Sequence, residues 1–403
     1  MATFFLLIIY LAFISLGLPD SILGAAWPVM QGDLGEPMDR AGLLFMTIAA
    51  GTIVSSLASG KILNRFGTGP VTFVSCLMTA GGLLGFSIAP SLIWLMVCAI
   101  PLGLGAGAID TGLNNYVAVH YKAHHMSWLH CFWGVGATLG PIIMAQSISA
   151  DHSWRNGYLM IALIQLALAA VLFFTLPLWK RAADKSESAD RAEGETEQPT
   201  GEQVKAYKIK GVYLALLSFL FYCGAEAAMG LWGSSFLVNM KGLPAATAAQ
   251  WVSLYYGGIT IGRFITGFIT LKVSNRVLIL AGQGVALAGA ALLMLPLPAG
   301  YALAGFVLTG LGLAPIFPCM MHETPVHFGK AHSQNIVGYQ MAFAFTGNTF
   351  LPPLLGMVSA HTTIGIFPLF IVAAIAAMMF SSERLNRIMK EKRKWKEGNE
   401  AAL

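Results

Sequence analysis

The chain has 403 residues, 56% hydrophobic and 11% charged, with a mean hydropathy of +0.68 and a formal net charge of +5. A soluble domain carries about 25% charged residues, so a water-soluble globule is excluded, and the basic residues lie between apolar runs rather than in a patch suited to nucleic acid. A transmembrane β-barrel is excluded as well, because the apolar runs reach the about 20 residues a helix needs to cross a bilayer and do not alternate as barrel strands do.

The spans are expected near residues 3–30, 40–61, 70–90, 92–117, 127–149, 155–179, 211–238, 247–271, 277–297, 300–321, 333–357 and 363–381. The first run, MATFFLLIIY, lacks the basic start of a cleaved signal and reads as part of span 1. The stretch Lys180 to Lys210 is polar, charged and punctuated by Pro and Gly. It reads as a flexible cytoplasmic linker between an N-terminal half, 1–179, and a C-terminal half, 211–381, with a basic tail at 382–403. The five cysteines, Cys76, Cys98, Cys131, Cys223 and Cys319, fall in apolar runs without metal or disulfide spacing. No metal site and no cofactor is expected.

Orientation follows from Lys and Arg. Lys61, Arg65, Lys122, the linker, Lys272, Arg276, Lys330 and the tail from Arg384 to Lys396 share one side, against Arg40, Arg155 and Lys241 on the other. The positive-inside rule then puts both termini in the cytoplasm of a multi-pass protein of the inner or plasma membrane.

The halves repeat. Gly60 and Gly267 are 207 residues apart, as are Gly103 and Gly310, while Asp20 and Glu226 are 206 apart. Gly136 and Pro141 match Gly347 and Pro352 at a spacing of 211. The fold class is therefore an all-α polytopic membrane protein, twelve transmembrane helices in two pseudo-symmetric halves, as in carriers that rock one half against the other.

Polar residues inside the spans carry the functional expectation. An Asp at a helix centre costs about 2.5–3.5 kcal/mol on insertion scales, so Asp110 in PLGLGAGAIDTGLNNY marks an ion or substrate path. The glycines before it read equally as close helix packing. Asn114 and Asn115 point in different directions, so at most one shares its face. Asp20 follows Pro19, which removes a backbone donor and loosens span 1; it reads as a cavity carboxylate or as a cap on that turn. Glu226 is its counterpart in span 7. Trp232 in the same span offers an indole to a sugar ring, or anchors the helix at the membrane interface. His130 in span 5 is a proton shuttle or a bonded interface residue. Gln146, Gln283, Gln340 and Asn348 suit hydroxyl-rich ligands, with interhelical bonding as the competing role. Arg263 in span 8 pairs with a buried carboxylate or snorkels, and Glu323 closes span 10 as an inner gate or a helix-end contact. GLGAGA matches the loose dinucleotide pattern but has no βαβ context. With no Walker, zinc or nucleophile-elbow motif in the chain, it is not read as an enzyme.

Two six-helix halves and the loop GKILNRFGTG, Gly60 to Gly69, resemble the major facilitator superfamily, with Gly60, Arg65 and Gly67 in the loop signature's places and Asn64 at its usual acidic position. Within it the chain resembles the fucose–galactose–glucose:proton symporter family through GLGAGAIDTGLNNYV, WLHCFWGVGATLGP, YCGAEAAMGLWGSSF, GLGLAPIFP and GYQMAFAFTGNTFLPPLLG. The resemblance implies that Asp20 and Asp110 carry proton coupling and substrate binding, with Asp110 standing where the family has Glu. It implies a gating role for Arg65, a monomer in the bilayer, and a sugar as cargo; Arg263 and Glu323 are expected to act in gating from their own placement. Sodium stays open as the ion, since related animal carriers are described as sodium-coupled. The expectation is a monosaccharide carrier working by proton symport and alternating access. Proton-driven efflux of drugs or metabolites, and a sugar sensor that moves nothing, are the alternatives.

Overall fold

A computed structural model describes residues 2–121, 123–151, 153–190, 209–270 and 272–400. The first half comprises α1 (Ala2–Asp20), α2 (Ile22–Leu34), α3 (Arg40–Phe66), α4 (Thr68–Ser87), α5 (Leu92–His120), α6 (Ala123–Asp151) and α7 (Trp154–Asp190). The second comprises α8 (Val212–Lys241), α9 (Ala245–Ile269), α10 (Asn275–Met294), α11 (Ala299–Leu313), α12 (Ile316–Phe328), α13 (Lys330–His361) and α14 (Phe367–Glu400). Among the described residues eleven helical segments are long and apolar enough to cross a membrane. The twelfth span is α9, 25 residues long, which carries Arg263.

Two spans are broken. α1 gives way to α2 at Ser21, after Pro19, and α11 to α12 at Ala314 and Pro315. In both, proline removes a backbone donor from the helical ladder. Other joints reproduce the repeat: Gly35 ends α2 at φ +65 and Gly242 ends α8 at φ +64, a left-handed cap that glycine adopts without a Cβ clash.

Glycines also set the helix crossings. A Cβ on Gly136 of α6 would strike the Ile14 carbonyl of α1, and one on Gly347 of α13 would strike the Leu220 carbonyl of α8. Gly103 of α5 lies on the Ile48 carbonyl of α3, as Gly310 of α11 lies on the Tyr255 carbonyl of α9. The sequence repeat is thus a repeat of backbone-to-backbone contacts, the close approach that small residues permit between apolar helices. The glycines around Asp110 are packing residues.

The halves join at one end and part at the other. α2 packs on α8 and α9, while α1, the other part of the same span, packs on α5, α6 and α7 of its own half. Gly24 meets the Gly230 carbonyl, and a Cβ on Gly42 would lie 3.0 Å from Pro353 Cα. The apolar core follows the same division. One cluster spans both halves, with Trp27, Phe86 and Trp154 from the first and Trp232, Phe306 and Phe367 from the second. Toward the termini it forks into two: Phe5, Ile9, Phe13 and Leu172 pack in the first half only, and Val212, Phe328, Ile336 and Leu385 in the second only. The cleft between the halves opens toward the end that carries the termini. Outward-facing apolar side chains such as Leu57, Ile93, Phe174 and Phe380 are 82%, 75%, 78% and 70% exposed, a surface that requires lipid as solvent.

Two expected boundaries differ. α7 continues past residue 179 to Asp190, into the stretch expected as a flexible linker, and α14 runs through the expected tail to Glu400. The first extension carries Ala, Lys and Arg and the second is rich in Lys, Arg and Glu, good helix formers, and a span that is already helical spares them the cost of nucleation. The rest of the expected linker, 191–208, lies outside the described residues.

Candidate functional site

Asp20 is the last residue of α1, where the single core forks. It is exposed to the cleft side, and its Oδ2 accepts a hydrogen bond of 2.8 Å from Trp133 Nε1 on α6. Asp110 lies on α5 of the same half. Its Oδ1 accepts from Asn114 Nδ2 at 2.9 Å, and the same Nδ2 donates to the Asp110 carbonyl at 3.0 Å. The four-residue spacing stacks the two side chains on one helix face, so Asn114 orients the carboxylate.

Across the cleft, Arg263 on α9 pairs with Glu226 on α8, Nη2 to Oε1 at 3.2 Å, each side chain 15% exposed. The same Nη2 reaches the Tyr222 hydroxyl at 3.4 Å, and the Tyr255 hydroxyl donates to the Glu226 carbonyl at 3.2 Å. The guanidinium lies over the Trp133 ring, 5.7 Å from its centroid. Trp133 and Tyr256 meet edge-on at 6.5 Å. The line Asp20–Trp133–Arg263–Glu226 therefore runs from the first half into the second. His130, one turn before Trp133, meets Phe13 edge-on at 6.0 Å and lies within electrostatic reach of Arg263.

The charge count of this site is uneven. Arg263 is neutralised by Glu226, while Asp20 and Asp110 have hydrogen-bond donors and no cation paired to them among the described residues. Two carboxylates facing a cleft accept hydroxyl donors, and each has a proton to gain.

Three residues expected to bind substrate are placed elsewhere. Trp232 is fully buried, its Nε1 donates to the Pro352 carbonyl at 2.7 Å, and Gly356 lies against its ring. It ties α8 to α13 and has no face free for a sugar. Gln283 is fully buried and exchanges hydrogen bonds with Ser382, joining α10 to α14. Gln340 accepts from Thr324 Oγ1 at 3.0 Å, joining α13 to α12. In each case a polar group left without water is satisfied by a neighbouring helix. Gln146 is exposed on α6 and Asn348 half-buried on α13; neither joins the Asp20–Glu226 line. The Asn115 side chain lies outside the described residues. Arg65 is exposed at the end of α3, over Phe66. Glu323 accepts from Asn275 Nδ2 at 3.0 Å and lies 3.5 Å from His327 Nε2, at the open end and apart from the central line.

Trp133, Tyr222, Tyr255 and Tyr256 are site residues that the sequence reading passed over. The signal was present in spacing: Trp133 follows His130 by one helical turn, and Tyr256 precedes Arg263 by two.

The model of the Major Facilitator Superfamily matches residues 9–352. The chain belongs to this superfamily. Among curated relatives, the glucose/mannose transporter GlcP of Bacillus subtilis is 20% identical over 364 residues, covering 88% of each chain. A putative glucose/galactose transporter of Helicobacter pylori is 25% identical over 289 residues, 65% of each chain. Across three of the relatives the match spans 55% to 66% of the relative's own length. The solved xylose transporter XylE of E. coli, in a partially occluded inward-open conformation, shares the fold at a TM-score of 0.73 and 13% identity, over 94% of this chain and 96% of that one.

Proposed function

We propose that this superfamily member is a secondary active transporter of a monosaccharide, working by proton-coupled symport and alternating access. The observation that carries the reading is the pair Asp20 and Asp110, carboxylates on separate helices of one half, each held by a hydrogen-bond donor and without a paired cation among the described residues. An ionised carboxylate holds water and resists enclosure, because taking a charge out of water costs several kcal/mol on the order-of-magnitude scale. A proton bound from the outer compartment removes that charge, so the halves close over sugar and proton together. Asp110 is the coupling acid, and Asp20 the hydroxyl ligand or second protonation site. Asn114 supplies the amide that orients Asp110. The names of the relatives support a sugar as cargo. On the positive-inside reading both termini are cytoplasmic, so the cleft described above is open inward.

The test is uptake of a panel of labelled monosaccharides into proteoliposomes under an imposed pH gradient and, separately, a sodium gradient. Hexose uptake driven by pH alone is the expected result. Uptake driven by sodium alone overturns the ion. No sugar uptake under either gradient overturns the sugar and points to efflux, and binding without flux points to a sensor.

A further inference from the structure

We propose that Trp133 is a positioning residue that couples the charge state of Asp20 to the Arg263–Glu226 pair across the seam between the halves. The inference rests on the proton-symport reading for its transport consequences and on geometry for the coupling itself.

Trp133 touches both charged centres. Its indole N–H only donates, and it donates to Asp20 at 2.8 Å. That length falls in the range of about 2.7–2.9 Å for charge-assisted bonds, which are roughly twice as strong as neutral ones. The bond fixes the plane of the ring, and the face of that ring lies under the Arg263 guanidinium. A cation over an indole within about 6 Å of its centroid is attracted by the ring quadrupole. The neighbouring residue sets the spacing: Gly134 lies on Thr260 Oγ1, so α6 and α9 cross there with no room for a side chain. The indole therefore sits beside a close crossing of one helix from each half.

The sequence of events follows from these contacts. With Asp20 ionised, the strong N–H bond holds the ring and the ring holds Arg263. A proton on Asp20 leaves a neutral acceptor and about half the bond. The ring is freed to turn, Arg263 loses its aromatic face, and the α6–α9 crossing is released to shift. Arg263 stays paired with Glu226 throughout, so no buried charge is orphaned in the second half.

The other groups facing this line are Asp110 on α5, His130 and Cys131 on α6, Tyr255 and Tyr256 on α9, and Tyr222 and Cys223 on α8. The indole N–H donates to Asp20 and not to any of these groups. That makes the device specific to Asp20 and separable by mutation from titration of its neighbours.

Trp133→Phe keeps an aromatic face for Arg263 and removes the N–H. In proteoliposomes, the ratio of pH-driven accumulation to equilibrium exchange of hexose should fall by about tenfold in this variant, a change of about 1.4 kcal/mol, and its dependence on pH should flatten. Wild-type accumulation and an unchanged pH profile would overturn the proposal and leave the symport reading standing. A second readout needs no sugar. The difference in tryptophan emission between the wild type and Trp133→Phe in detergent should change with pH, and Asp20→Asn should abolish that change. A difference spectrum that is flat with pH in the wild-type background, or that still titrates in Asp20→Asn, would overturn the proposal even if no hexose is carried. Should Trp133→Phe fail to fold, wild type against Asp20→Asn decides: the wild-type emission must carry a pH-dependent component that Asp20→Asn lacks.

Discussion

Replacing Asp110 with Asn separates carrying from coupling. In the wild type, Asn114 Nδ2 donates to Asp110 Oδ1 at 2.9 Å and to the Asp110 carbonyl at 3.0 Å. The substituted amide keeps an oxygen at the Oδ1 position, so the local arrangement survives. What is lost is the charge on the acceptor, the difference between a charged bond of about 1.5–3 kcal/mol and a neutral one of about 0.5–1.5, hence about 1 kcal/mol. The protein should fold and still bind sugar. The coupling loss is larger. A gradient of one pH unit stores about 1.4 kcal/mol per proton, enough for tenfold accumulation of sugar at one proton each. Asp110→Asn binds no proton at this position, so accumulation should fall to the equilibrium ratio while exchange of labelled hexose stays within about threefold of wild type, less than 1 kcal/mol. The assay is paired uptake and counterflow in proteoliposomes at fixed external pH. Tenfold accumulation by Asp110→Asn would refute its role as the coupling acid.

Other substitutions test the remaining assignments. Trp232→Phe leaves the buried Pro352 carbonyl without its donor, so the melting temperature of the purified protein should drop by the equivalent of about 1–3 kcal/mol with the KM for hexose unchanged; a raised KM at an unchanged melting temperature would return Trp232 to the substrate site. Glu226→Gln strands Arg263. Breaking a fully buried pair costs about 3–5 kcal/mol, and the residual exposure of both side chains lowers the expectation to about 2; Arg263→Gln in the same chain should restore part of the melting temperature, and no restoration would show that the pair is not coupled. Gly136→Val drives a side chain onto the Ile14 carbonyl and should cost at least the about 1–3 kcal/mol of core overpacking. Gly60→Ala, where a Cβ meets nothing within 4 Å, should be neutral in the same folding assay, and equal effects of the two would refute the packing account.

The repeat shows how much of the fold was legible. Gly103 and Gly310, or Gly136 and Gly347, are visible as matched positions because a close backbone crossing admits no side chain, and that demand is written as glycine wherever it recurs. Gly60 and Gly267 match in the same way yet face open space, so a matched glycine alone does not prove a crossing. The boundaries at Asp190 and Glu400 were less legible, since a polar stretch reads as linker or tail until an attached span makes its helix inexpensive.

The candidate site was legible in part. Asp20, Asp110, Glu226 and Arg263 stood out because charge is rare inside an apolar span. Trp133 and the tyrosines did not, since aromatic residues are common there and what distinguishes these is a partner over a hundred residues away for Trp133. Gln283, Gln340 and Trp232 erred in the opposite direction: a polar side chain in a span announces that it needs a partner, not whether the partner is a ligand or another helix.

By itself, the sequence determined the solvent, the number of spans, the duplication and the short inventory of buried charges, because hydropathy, spacing and residue type act locally along the chain. Only the tertiary structure decided which charges face one another, which amides are spent on neighbouring helices, and that one core forks into two at Asp20. Those outcomes depend on how helices rotate and cross, and a helix carries polar residues on any face until its neighbours fix which face looks into the cleft.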